Sequence, residues 1–365
     1  MSKINYLLIF FCSILLVVAC NKDDDNPPEV FPSIDETVYQ LSIGDFPQPD
    51  LPTDNPLTVQ GVHLGKMLFY EQKLSKNGTQ SCASCHRQLD GFSDTTKFSI
   101  GVEGLPGKRQ AMPVFNMAWH SNQFFWDGRA NLLRDQALKP IQDPLEMNET
   151  LDNVVKKLSG EKMYRDQFSR VFGSAEVTPK KMALAMEQFM MSIVSNDSKY
   201  DRFVAGEVEL TESEQRGKDL FETEYNPFFP QFSGADCAHC HGGINFENDQ
   251  YMNNGLDEDA NLANDIGRED VTKDAADRGK FKVPSLRNVA VTPPYMHDGR
   301  FQTLEEVIDH YNEGIKVSAT ADVTVLNTKE TGLFLTEQDK KDLVNFLKTL
   351  TDETFLNNPE YDSPF

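Results

Sequence analysis

The chain has 365 residues, with 57 acidic and 35 basic side chains and a net charge of −22. That balance argues against nucleic acid and against an anionic membrane surface as partners, and it suits either a basic or dipolar protein partner or plain solubility. About 340 residues remain after an N-terminal leader, enough for two domains that each bury a core.

In chain order, Lys3 and the short apolar run Tyr6–Ala19 read as a secretory signal, too short to span a bilayer. The run ends Val17-Val18-Ala19-Cys20, which resembles the lipobox of bacterial lipoproteins, so residues 1–19 would be removed and Cys20 would carry lipid. Ordinary signal cleavage beside an incidental cysteine is the alternative. Asn21–Asp25 resembles the acidic tag of some surface-exported lipoproteins, and the Asp- and Pro-rich stretch 20–45 reads as a tether. The expected location is therefore the cell envelope, periplasm or outer membrane, through a lipid anchor.

Two copies of Cys-x-x-Cys-His follow: Cys82, Cys85 and His86, then Cys237, Cys240 and His241. Paired thiols at this spacing can add to the two vinyl groups of one haem, and the adjoining histidine can ligate its iron. A zinc site would have to join cysteine pairs 155 residues apart and would leave both histidines unused. Cys12 leaves with the signal, Cys20 is assigned to lipid, and the other four of the six cysteines are assigned to two haems, so none remains for a disulfide.

The haem motifs sit inside a repeat. Gly65 lies 17 residues before the first motif and Gly217 lies 20 before the second, each opening Gly-Lys-x-Leu-Phe. Downstream, Pro113–Ala118 echoes Pro284–Ala290, and Trp126–Arg129 echoes His297–Arg300. Helix starts are marked by Thr178-Pro179, by Thr211 with Glu214, by Thr303 with Glu306, and near Thr336. Met182, Met186 and Met190 share a face and read as core, and Leu343, Val344, Leu347 and Leu350 are the buried face of the last helix. Gly-, Pro- and Asp-rich loops fill 88–110 and 249–280, and Asn253–Asp277 reads as an acidic insertion. The expected fold is all-α: two tandem cytochrome c-like domains, 46–205 and 206–352, each wrapped round one haem.

Leu64–Phe69, both haem motifs, Phe125–Arg129, Pro144–Met147, Val283–Asn288, Tyr295–Gly299 and Thr303–Glu306 together resemble the bacterial di-haem cytochrome c peroxidase family. Its relatives include the di-haem enzymes that mature tryptophan tryptophylquinone. The resemblance implies a first haem, on His86, that meets hydrogen peroxide, and a second, on His241, that passes electrons from a small cytochrome c or copper protein. Many members carry a displaceable histidine in the loop after the first motif; here Val102 stands there, so a five-coordinate first haem is expected. His120, the nearby substitute, reads as a loop histidine.

Splitting peroxide needs a group that moves a proton between its oxygens, and a carboxyl in a dry pocket suits that task. The resemblance assigns it to Glu146, with Gln136 orienting peroxide and Trp126 relaying charge between haems. For the sixth ligand of the second haem it points to Tyr311, with Met296 as rival. Calcium is implied at Gln110 (amide oxygen) with the carbonyls of Thr292 and Pro294, although the family usually has asparagine at the first position. Arg129, Arg287 and Arg300 are candidates to pair with haem propionates. A homodimer is left open. The alternatives are an oxidase acting on a partner protein by long-range electron transfer and a non-enzymatic electron carrier.

Overall fold

A Thr side chain starts most of the long helices, as local sequence dictates. The computed structural model describes residues 29–121 and 123–365. The stretch read as a signal, with Cys12, and Cys20, the residue read as a lipid site, lie outside the described residues. Helix α1 (Val59–Tyr70) is capped by Thr58, α5 (Pro179–Ser192) by Thr178, α7 (Glu212–Glu222) by Thr211 and α11 (Glu337–Lys348) by Thr336. Thr211 with Glu214, and Thr303 with Glu306 at α9 (Leu304–Asp309), form the reciprocal capping boxes expected from the sequence. Between these lie α2 (Leu133–Gln142), α3 (Leu151–Ser159), α4 (Lys162–Phe172), α6 (Lys199–Val204), α8 (Glu269–Thr272) and α10 (Val323–Leu326), with α12 (Glu353–Leu356) last. Extended structure is slight: Tyr251–Met252 pairs antiparallel with Phe281–Lys282.

The repeat is visible in the packing. α1 lies on α5, and α7 lies on α11. Gly65 allows the first crossing and Gly217 the second: a Cβ there would overlap the carbonyl oxygen of Ala185 or of Asp342. Phe69 meets Phe92 and Phe189 with ring centroids 6.0 and 5.3 Å apart; Phe221 meets Phe246 and Phe346 at 6.0 and 5.2 Å. Backbone singularities recur too. Asn116 and Asn288 are left-handed, as are Phe92 and Phe246. The Phe124–Ala130 and Tyr295–Phe301 bridges enclose the two Asp-Gly-Arg turns.

Two hydrophobic clusters result. The first is built on α1, α2 and α5 and includes Met182, Met186 and Met190; the second is built on α7, α9 and α11. Leu343, Val344, Leu347 and Leu350 are buried in the second. The C-terminal segment returns to the first cluster, where Phe355, Leu356 and Tyr361 are buried. Within the stretch read as a tether, Asp35 N donates to Arg170 O at 2.8 Å and Val38 pairs with Thr58, so this part is packed on the body. The acidic insertion is likewise packed, with Asp265 paired to Arg109 at 2.7 Å.

Gly217→Ala should force α7 from α11 and cost about 1–3 kcal/mol. The check is urea unfolding: a lower midpoint with an unchanged slope is expected, and an unchanged midpoint would contradict the crossing.

Candidate functional site

Each Cys-x-x-Cys-His motif forms a short 3-10 turn, Cys82–Ser84 or Cys237–His239, that delivers two thiols and an imidazole to one cavity. The first cavity, about 1090 Å³, is lined by Cys82, Cys85 and His86; the second, about 250 Å³, by Cys237, Cys240 and His241. Burial pushes the Cys82 and Cys237 thiols up to about 12. The two cysteine pairs line separate cavities, whereas a four-cysteine zinc site would need them side by side.

His86 Nδ1 lies 2.9 Å from Phe92 O, and His241 Nδ1 lies 3.1 Å from both Phe246 O and Pro284 O. A carbonyl can only accept, so Nδ1 carries the proton and Nε2 keeps its lone pair. Burial holds both imidazoles below their usual pKa and hence neutral. Paired thiols, a neutral imidazole with one nitrogen committed, and a largely apolar wall fit a haem in each cavity.

Glu146 and Gln136 line the first cavity with His86. Gln136 comes from α2. Glu146 lies in the turn after it, where Val102 N donates to Glu146 O at 2.8 Å. Gly101 makes this approach possible, because a Cβ there would overlap the carbonyl oxygens of Leu145 and Glu146. The loop carrying Val102 thus packs on the main chain at Glu146, and His120 is the one further histidine lining this cavity among the described residues. Burial pushes Glu146 up to about 7, Asp143 adds to the rise, and Arg129 opposes it. Its proton therefore favours the folded state below about 4.5, and that contribution is lost as pH rises through about 7.

Trp126 and Gln110 line both cavities. The indole, 8 % exposed, donates from Nε1 to Gln110 O at 2.8 Å. Gln110 N donates to His297 O at 2.8 Å, and His297 stacks on Phe281 with centroids 3.6 Å apart. Lys282 N donates to Trp126 O at 2.7 Å.

Tyr311 and Met296 both line the second cavity. Tyr311 lies on the π-helical turn His310–Gly314, and burial pushes its phenol up to about 12 while Asn254 opposes. Asn254 Nδ2 reaches both rivals, 3.2 Å from Tyr311 Oη and 3.4 Å from Met296 Sδ. Sequence reasoning missed Asn254, because only the fold brings the insertion to this turn. Thr292 and Pro294 line the same cavity as Gln110. Gln110 Nε2 donates to Ser93 Oγ and Asp94 O, so its amide oxygen is the end left for a cation. Three neutral oxygens are a weak calcium donor set.

The arginines divide. Arg129 lines the first cavity, with its guanidinium 3.6 Å from the Phe125 ring centroid. Arg287 is bound bidentately by Asp201, at 2.8 Å for both contacts, and Arg300 by Asp257 and Asp298, so these two are engaged by carboxylates instead. Arg109, which nothing in the sequence singled out, lines the first cavity and ties Asp127 to Asp265.

Residues 59–209 match the family model of the di-haem cytochrome c peroxidases. The methylamine utilization protein MauG of Methylorubrum extorquens is 36% identical over 306 residues, covering 83% of this chain and 81% of that one. The chain belongs to the di-haem cytochrome c peroxidase family. The cytochrome c551 peroxidase of Nitrosomonas europaea is 38% identical over 256 residues, 70% of this chain and 73% of that one. A solved MauG-like protein associated with microbial copper homeostasis superposes with a TM-score of 0.81 at 34% identity, covering 90% of this chain and 99% of that structure. Family membership implies two haem cofactors and an oxidoreductase.

The protonated-carboxyl infrared band of Glu146 should titrate near pH 7 and vanish in Glu146→Gln. Arg129→Ala should move the midpoint upward; a midpoint near 4.5 in the parent protein would contradict the burial argument.

Proposed function

We propose that this member of the family is an exported peroxidase that reduces hydrogen peroxide to two waters with electrons from a small redox protein. The observation that carries the reading is Glu146: a carboxyl poised near pH 7, beside Gln136, in the cavity that also holds Cys82, Cys85 and His86. Two haems, attached through Cys82 and Cys85 and through Cys237 and Cys240, would supply the electron-transfer chemistry and a metal face for peroxide. His86 and His241 hold their rings by Nδ1 and present Nε2. Gln136 orients the peroxide by hydrogen bonding. Glu146 takes the proton from one peroxide oxygen and returns it to the other; a group titrating near neutrality does both. Trp126, on the wall common to the two cavities, couples them. Anchoring through a lipid on Cys20 belongs to the same proposal.

A second reading, oxidation of a partner protein, is favoured by Tyr311. An oxygen ligand would lower the potential of the second haem, where Met296 sulfur would raise it. Relatives named MauG, a methylamine utilization protein, point the same way. Peroxide with a reduced small cytochrome sustains turnover in the first reading; a peroxide-dependent mass change in a partner protein marks the second.

Glu146→Gln should cut peroxidase turnover by about 10²–10⁴-fold with both haems intact. In the parent protein kcat/KM should rise with pH through about 7, as the carboxylate forms. Unchanged turnover in the variant would remove Glu146 from the reaction. For the second haem, Tyr311→Phe should alter the oxidised absorption spectrum and Met296→Leu should leave it unchanged; the reverse pattern would assign the sulfur instead.

A further inference from the structure

A cluster outside the haem motifs joins the two repeats. His120 follows the turn Met117–Trp119 of the first, and Glu247 and Asp249 follow the second haem motif. One ligand atom from each side chain can be chosen so that all three lie within 4.8 Å of one another. The side chains of His120 and Glu247 are only 8% and 6% exposed.

We propose that His120, Glu247 and Asp249 bind a divalent transition-metal ion of the zinc class. His120 Nδ1 lies 3.0 Å from Glu247 Oε1, yet Nδ1 makes no hydrogen bond. Glu247 Oε2 is also buried without a partner. Leaving such atoms bare costs about 1–3 kcal/mol each. Two ligand atoms on one zinc ion, each about 2.0–2.2 Å from it, are themselves roughly 3–3.5 Å apart. The His120–Glu247 spacing therefore suits two ligands of one ion.

The surroundings support the donor set. Ser121 donates to Asp249 Oδ2 from N at 3.1 Å and Oγ at 2.6 Å, and Lys282 Nζ donates to Oδ1 at 2.8 Å. Asn245 Nδ2 donates to Glu247 Oε1 at 3.3 Å. Such outer contacts aim ligating carboxylates. The two carboxylates outnumber the one ammonium, that of Lys282, so the donor set suits a cation. An imidazole among the ligands selects against calcium, which takes oxygen alone. Because Lys282 N also holds Trp126 O, the ion would staple the segment bearing Trp126 to the second repeat.

The test uses the haem-loaded protein stripped with a chelator and titrated with Zn²⁺ by calorimetry, with metal content read by mass spectrometry. One zinc per chain is expected beside two irons. Glu247→Gln and Asp249→Asn should each weaken binding by about 100-fold or more while both haem absorption bands stay unchanged. Zinc-edge X-ray absorption of the parent protein, which needs no variant, should show a nitrogen–oxygen shell with one imidazole. Failure of the parent protein to bind zinc, parent-like binding by both variants, or a sulfur-containing shell would overturn the site and leave His120 and Glu247 as a close polar pair.

Discussion

The site depends on one hydrogen bond made twice: the Nδ1–H of each motif histidine to the carbonyl of a left-handed phenylalanine, Phe92 or Phe246. A left-handed phenylalanine costs about 1–2 kcal/mol. Burial of its ring against Phe69 and Phe189, or against Phe221 and Phe346, offsets that cost. The glycines at the helix crossings serve the same end, bringing α5 or α11 close enough for the aromatic cluster to form. The core thereby fixes the direction of one carbonyl, the carbonyl fixes the tautomer, and the tautomer leaves Nε2 as the ligand.

The repeats differ where chemistry is needed. Trp126 in the first stands where His297 stands in the second, and Gln110 binds the main chain or side chain of both positions. The first cavity carries Glu146 and Gln136; the second carries Tyr311 and Met296. A duplicated scaffold holds one cavity with a titrating carboxyl and one with further candidate ligands. That asymmetry supports dividing substrate chemistry from charge transfer.

Much of this was legible in local sequence. The haem motifs, the Gly65 and Gly217 repeat, and the Thr caps are short-range patterns whose physics acts within a few residues. The grouping of Glu146 and Gln136 with His86 was legible only through family resemblance, because no local pattern marks a carboxyl that burial shifts to about 7. Arg287 and Arg300 illustrate the limit: their residue type suits propionates, but Asp201 and Asp257 are reached only through the fold. The convergence of His120 with Glu247, 127 positions later, carries no sequence signal of its own. The tether residues from Pro32 onward were read by composition, and composition does not reveal that Asp35 meets Arg170.

In the proposed peroxidase one iron would be accessible to peroxide and the other fully ligated. Low-temperature electron paramagnetic resonance of the oxidised protein, before and after one equivalent of peroxide, tests it most directly. One high-spin and one low-spin ferric signal are expected, with the high-spin signal lost on peroxide addition. Two low-spin signals indifferent to peroxide would contradict it.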